Sequence, residues 1–307
     1  MKVRILYTDG LGSFQEGIWD KPEPAEDQIV VESIMTGVCR SDIAMMEGTF
    51  NLLPMHMMGH EGLGRVIWRG DKVLTHVNIG DLVATRGEPA YADVYNATDG
   101  TFVTVPVAEP RFILEPVACG VNLLWDSWEH VVRHKDGSAL IIGSGFLAYV
   151  LKQTINNFAR NEPNFKRLDF IGSSNTDLFP GQMQTTSDKY DVVFDLSSDP
   201  KWLDAPIYNE NGVLVLGTEK FPDAGSNLGN LLWNNMTIKM PSPRSEKFKS
   251  SMRMASRGVN GHTFPDLERF WTMEYDRDTE WKDAFHDASN RKPGYNRGYI
   301  KWRNDAN

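Results

Sequence analysis

The sequence predicts an α/β chain with a β-rich first part and a parallel-sheet second part, and three observations carry that reading. The first ~115 residues hold short β-type runs broken by glycine and proline, the pattern of a compact barrel-like domain. These runs are Lys2–Tyr7, Gln28–Thr36, Gly64–Trp68, Lys72–Thr75, Asp81–Thr85 and Gly100–Pro106. From Ser138 onward, apolar strands at Ser138–Ile142, Arg167–Ile171, Asp191–Leu196 and Gly212–Leu216 alternate with helical or looping connections, which suggests a parallel sheet. The third observation is a glycine turn, Gly143–Ser144–Gly145, set between the first of these strands and a helical stretch, Phe146–Arg160.

The remaining elements follow from periodicity. Val117, Val121, Leu124, Trp128 and Val132 recur at close to helical spacing and predict one helix over 117–132. The tail carries a helical stretch around Asp266–Tyr275 and closes on a strand-like Arg297–Trp302, with Pro241–Lys249 as the linker after the sheet. Two domains result: residues 1–120, rejoined by 246–307, and residues 121–245.

Composition narrows the function classes. A chain of 307 residues with 41% hydrophobic and 24% charged residues can bury two ordinary cores. The net charge of −9 argues against a nucleic-acid partner or an anionic membrane surface, either of which needs a basic patch. No run approaches the ~20 apolar residues of a membrane span. The opening MKVRILYTDG lacks a signal peptide's apolar core and cleavage site. With only Cys39 and Cys119, a disulfide is not expected, and the reading is a soluble cytoplasmic protein.

Gly143-Ser144-Gly145-Phe146-Leu147-Ala148 fits G-x-G-x-x-A in the strand–turn–helix context that a dinucleotide loop requires. The first glycine permits the turn, the second admits a pyrophosphate to the backbone, and Ala148 keeps helix and sheet close. At the tip of the second strand stands Gly172-Ser173-Ser174-Asn175, with no carboxylate to hold a ribose diol, while Asp169 lies inside the strand. Hydroxyl side chains can donate to a 2′-phosphate, so Ser173 and Ser174 tilt the choice towards NADP over NAD.

Upstream, Cys39 and His60 stand twenty-one residues apart in the run GVCRSD…GHEGLG, with Glu61 adjoining. A thiolate, an imidazole and a carboxylate are the ligand types of a catalytic Zn²⁺. Metal ligands and a dinucleotide loop in one chain point to hydride transfer.

The stretches GVCRSD (37–42), GHEGLGRV (59–66), IGDLV (79–83), LEPVACG (114–120), IIGSGFLA (141–148), YDVVFDLSS (190–198) and NGVLVLGT (211–218) resemble, in order, the medium-chain, zinc-dependent alcohol and polyol dehydrogenases. The resemblance implies a GroES-like catalytic domain and a shortened Rossmann-type domain. It implies one catalytic zinc on Cys39 and His60, with Glu61 and Glu115 as the carboxylates that the sorbitol, glucose and threonine dehydrogenase branches place at or near the metal. Asp42 resembles the carboxylate that orients the histidine, Ser41 the hydroxyl that takes the substrate proton, and Arg40 an arginine directed at the cofactor pyrophosphate. The cofactor set is then Arg40, Gly143, Ser144, Gly145, Phe146 and Leu147, with Ser173, Ser174, Ser197, Leu216 and Gly217 on the following strand ends. The implied activity is zinc-dependent oxidation of a sugar, polyol or other secondary alcohol with NADP or NAD, in a homodimer or homotetramer.

Departures from the family pattern matter too. No cysteine lies between Glu61 and Glu115, so the four-cysteine structural zinc lobe is absent. Ala44 stands where some relatives have a relay histidine. Tyr190 stands only eighteen positions after Gly172, so the sheet domain is trimmed, with Asp177–Gln184 crossing the gap. His56, and the pair His130 and His134, are weaker ligand candidates. A zinc-free NADPH-dependent enone or quinone reductase and a non-catalytic binding protein are the two other readings.

Overall fold

The computed structural model describes residues 1–49, 58–158, 165–218 and 228–302. The chain begins β1 (Lys2–Thr8), β2 (Phe14–Asp20), β3 (Gln28–Gly37), α1 (Arg40–Met46), β4 (Gly62–Arg69), β5 (Leu82–Thr85), β6 (Val94–Thr98) and β7 (Phe102–Thr104). It continues α2 (Glu115–Trp125), α3 (Trp128–Val131), β8 (Ser138–Ile142), α4 (Phe146–Phe158), β9 (Arg167–Ile171) and β10 (Tyr190–Asp195). Then come α5 (Lys201–Asp204), β11 (Tyr208–Leu216), α6 (Gly229–Trp233), β12 (Thr237–Lys239), α7 (Phe248–Asn260), β13 (Trp271–Asp276), α8 (Trp281–Asn290) and β14 (Arg297–Lys301). Two compact units emerge, Met1–Pro116 with Met252–Asn307, and Val117–Ser251.

The first unit is built on a seven-stranded sheet of order β13-β14-β3-β4-β5-β7, with β6 also paired to β3. Strand β3, QIVVESIMTG, is buried along almost its whole length, as a strand flanked by partners on both edges should be. The C-terminal β14 runs antiparallel to β3 with Tyr299 opposite Gly37 and Ile300 opposite Thr36. That pairing carries the chain's last strand to the end of β3, where the metal motif begins. The tail aromatics Trp281, Phe285 and Trp302 pack into one core with Phe14, Met58 and Tyr91.

The second unit holds a five-stranded parallel sheet of order β12-β11-β10-β8-β9. This is the doubly wound dinucleotide order with its outermost strand missing. At that edge a single parallel bridge, Met183 to Ile171, stands in for the strand. Residues 172–189 cross the gap in turns without a helix, consistent with the short spacing.

Some local expectations fail. The helix expected over 117–132 breaks at Asp126–Ser127 into α2 and α3. Lys72–Thr75 is turn and loop, tied down because Asp99 accepts the Leu74 and Thr75 amides. The helix expected at Asp266–Tyr275 is a short 3₁₀ turn followed by strand β13, because parallel pairing with β14 (Glu274 opposite Tyr299) overrides local preference. Helices α7 and α8 lie outside the sequence expectations, although Phe248, Met252, Ala255, Val259 and Trp281, Ala284, Phe285, Ala288 are buried stripes of helical period.

Candidate metal and dinucleotide site

The metal motif is assembled by the turn from β3 into α1 and by the entry to β4. Gly37 ends β3, and a Cβ there would stand 2.0 Å from Glu61 Oε2. Only glycine lets that carboxylate approach the strand. The Gly37 amide donates to the Glu61 carbonyl at 2.9 Å, which locks the two segments in register. Ligand atoms of Cys39, His60 and Glu61 come to lie within 4.8 Å of one another, the only such metal-capable trio among the described residues.

Around this trio the polar groups are paired. Asp42, buried in α1, accepts the Cys39 amide on Oδ2 at 3.2 Å, and its Oδ1 lies 3.5 Å from His60 Nδ1. With Nδ1 facing Asp42, Nε2 is left as the imidazole's ligand atom. Tyr91 donates its hydroxyl to Asp42 Oδ2 at 2.7 Å. Ser41 donates to Cys39 Sγ at 3.2 Å. Glu61 is wholly buried, and Arg297 Nη2 lies 2.6 and 2.5 Å from its two oxygens. Glu115 opens α2, lies outside the close trio, and has Arg86 Nε 3.8 Å from its Oε1; Arg86 also pairs with Glu88.

Electrostatics agree with a cation seat. Burial pushes the Cys39 thiol up, and the charge of Glu61 adds to the shift. For His60, burial favours the neutral ring, but Asp42 and Glu115 outweigh it and hold the imidazole well above its ordinary value. A cluster that draws a proton onto a buried histidine is one where a divalent cation is favoured, and sulfur, nitrogen and oxygen donors together suit zinc. The donor set therefore fits the metal.

Arg297, Arg86 and Tyr91 were not picked out from the sequence. Arg297 is 236 residues from Glu61 and meets it only because β14 pairs with β3. Of the weaker ligand candidates, His130 lies 3.3 Å from Glu129 at a helix end and His134 sits in a 3₁₀ turn. His56 lies outside the described residues. Cys39 and Cys119 form no disulfide.

In the second unit the loop residues gather at the C-terminal ends of β8, β9, β10 and β11, where parallel sheets bind ligands. Gly143 has φ +125°, and a Cβ added to Gly145 would meet nothing within 4 Å. There is thus open space over the backbone at the start of α4, where Phe146 and Leu147 begin the helix, and helix amides favour a phosphate there. Ser144 folds inward, its Oγ 2.9 Å from Ser174 Oγ, and Asn175 donates to the Ser144 carbonyl at 2.7 Å. Ser173 and Ser174 are exposed. Asp169 is engaged by Tyr190 (2.7 Å) and Arg167 (2.5 Å). Ser197 hydrogen-bonds the buried Asp195 at 2.9 Å, and the Gly217 amide, next to Leu216, donates to the Asp195 carbonyl. Arg40, at the start of α1 in the first unit, is exposed.

Comparison with known proteins agrees with this architecture. Residues 25–115 match the alcohol dehydrogenase GroES-like domain. Glucose 1-dehydrogenase 2 of Vulcanisaeta moutnovskia is 24% identical over 261 residues, 69% of this chain and 74% of that protein. Sorbitol dehydrogenase of Halalkalibacterium halodurans is 33% identical over a shorter stretch, 28% of this chain and 25% of that protein. Among solved structures, an Escherichia coli alcohol dehydrogenase in complex with NADH superposes with a TM-score of 0.76 at 13% identity, covering 98% of this chain and 99% of that one. A zinc-binding dehydrogenase of Sinorhizobium meliloti bound to NADP gives 0.73 at 14% identity, covering 98% and 100%. With an alcohol dehydrogenase GroES-like domain over residues 25–115, the metal-capable trio and a doubly wound parallel sheet in one chain, this protein is similar to the zinc-binding alcohol, sorbitol and glucose dehydrogenases.

Proposed function

We propose that this protein is a zinc-dependent oxidoreductase that transfers hydride between a sugar, polyol or other secondary alcohol and NADP or NAD. The observation that carries the reading is the convergence of Cys39, His60 and Glu61 within 4.8 Å. The relatives named for glucose and sorbitol support a polyhydroxylated substrate.

Cys39 and His60 hold one zinc, with Glu61 and Glu115 as the carboxylates available to it. Bound there, zinc polarises the substrate oxygen and lowers the alcohol's pKa. Asp42 fixes the His60 ring, and Arg297 holds the Glu61 carboxylate by direct contact. Ser41 Oγ, beside Cys39 Sγ, accepts the alcohol proton and passes it outward. Gly143, Ser144, Gly145, Phe146 and Leu147 would seat the pyrophosphate of a bound dinucleotide, which would supply the hydride-transfer chemistry. The exposed Ser173 and Ser174 support the preference for NADP, with Ser197, Leu216 and Gly217 completing the cofactor set and Arg40 directed at the pyrophosphate. The GroES-like catalytic domain takes in 1–120 and 246–307, and the Rossmann domain 121–245.

Among the described residues no helix is long and apolar enough to cross a membrane. The acidic net charge supports a small-molecule substrate without a nucleic-acid partner, and a cytoplasmic homodimer or homotetramer is proposed on the resemblance to the medium-chain dehydrogenases.

The deciding measurement is metal content per chain after purification without chelator. About one zinc per chain, lost in Cys39→Ala, is the expected result for a catalytic site. No zinc in folded wild type overturns it and shifts weight to a zinc-free reductase or a non-catalytic protein, which dinucleotide titration then separates.

A further inference from the structure

We propose that Tyr91 is a positioning residue for the metal-ligating pair Cys39 and His60, acting through Asp42; the inference rests on reading this site as a metal centre. Tyr91 is wholly buried, and its hydroxyl lies 2.7 Å from Asp42 Oδ2 and 3.1 Å from the Gly37 carbonyl. The same Oδ2 accepts the Cys39 amide, while Oδ1 faces His60 Nδ1. One phenol therefore sets the rotation of a carboxylate that touches both ligand residues.

The backbone of Tyr91 serves the same end. Its amide donates to the Met58 carbonyl at 3.2 Å, and the Ala90 amide donates to the Gly59 carbonyl at 2.9 Å. Residues 90–91 thus brace the main chain just ahead of His60. The ring is held edge-on by Phe14 and Phe285, with centroids 6.1 and 5.3 Å away and interplanar angles of 85° and 80°. An aromatic ring fixed on two sides leaves its hydroxyl little freedom, so the hydrogen bond to Asp42 is preorganised. The sequence separation, 49 residues from Asp42, hides this role until the chain is folded.

Removal of the hydroxyl leaves the ring packing intact and deprives a buried carboxylate oxygen of one of its donors. Asp42 then turns to recover a partner, and the His60 ring and the Cys39 turn lose their common reference. Loss of an outer partner of a metal-bound histidine typically lowers metal affinity about 10–100-fold.

The test is Tyr91→Phe, studied as metal-free protein titrated with Co²⁺, with affinity read by chelator competition and coordination by the thiolate-to-cobalt absorption band. The expected result is a loss of about 10–100-fold in affinity and a shifted band, with metal-free Tm close to wild type. Asp42→Asn and the double variant complete a cycle, and a Tyr91 that acts through Asp42 has little further effect once Asp42 is altered. Additive losses, or Tyr91→Phe binding cobalt as wild type does, overturn the proposal. Where Tyr91→Phe folds poorly, Asp42→Asn is read by itself; cobalt affinity and band as in wild type then overturn it as well, because Tyr91 reaches both ligand residues through Asp42. Wild type that takes up no cobalt overturns the metal-centre reading itself and this proposal with it.

Discussion

Replacing Arg297 by methionine isolates what the last strand contributes to the site. In the wild type the Arg297 side chain is 12% exposed and Glu61 is wholly buried. Arg297 Nη2 contacts both Glu61 oxygens, and the guanidinium lies 4.9 Å from the Trp271 ring centroid. Burial alone would lower the guanidinium's pKa, but the Glu61 charge outweighs it and raises it further above its ordinary value. Methionine keeps most of the volume over Trp271 and removes the charge. Breaking a buried pair by removing one partner costs about 3–5 kcal/mol, because the remaining charge stays desolvated. Removing both partners costs far less, so Glu61→Gln combined with Arg297→Met is expected to lose less than the sum of the single variants by at least about 1.5 kcal/mol. The assay is urea denaturation of the chelator-dialysed proteins, compared by midpoint and slope. Single effects that add to the double within about 0.5 kcal/mol would refute the reasoning, since they would show Glu61 to be satisfied without Arg297.

Three further outcomes are expected. Gly145→Ala, whose new Cβ meets no protein atom, should leave Tm unchanged and weaken dinucleotide binding at least about tenfold in calorimetry; unaltered binding would remove the phosphate from that loop. Ser41→Ala should lower turnover by about 10²–10⁴-fold with cofactor affinity preserved, and unchanged turnover would end its role as proton acceptor. Burial by itself would raise Asp191, but hydrogen bonds from the Ser138 amide, Asn209 and the Ser138 hydroxyl prevail and hold it below the usual carboxylate range. Its stabilising contribution is therefore present above the unfolded carboxyl's value of about 3.9 and fades as pH falls through the lower folded value. Asp191→Asn should cost on the order of 1–2 kcal/mol at pH 7, and its gap from wild type should close on acidification from pH 6 towards pH 3; a gap constant with pH would contradict the assignment.

Much of this protein was legible in one dimension because the chemistry is local. Cys39, Ser41 and Asp42 share one turn and its helix, His60 and Glu61 are adjacent, and Gly143 to Ala148 form one continuous loop between a strand and a helix. Their roles depend on residue type and short spacing, which a sequence displays directly. The missing outer strand was legible too, since the seventeen residues between Gly172 and Tyr190 cannot hold a helix, a strand and their connections.

What lay beyond reach depended on pairing between distant segments. Whether residues 271–276 form helix or strand is decided by the parallel partner β14, a choice no local window contains. Arg297 reads as one more charge in a tail of mixed charge until β14 lies against β3 and delivers it to Glu61. Tyr91 reads as one aromatic among many until its hydroxyl is seen on Asp42. The sequence by itself displays Cys39, His60 and Glu61 and the Gly143–Ala148 turn as the candidate donors and loop. Only the tertiary structure decided which arginine and which phenol stand behind them, because a buried charge takes its partner from whatever strand the sheet brings alongside.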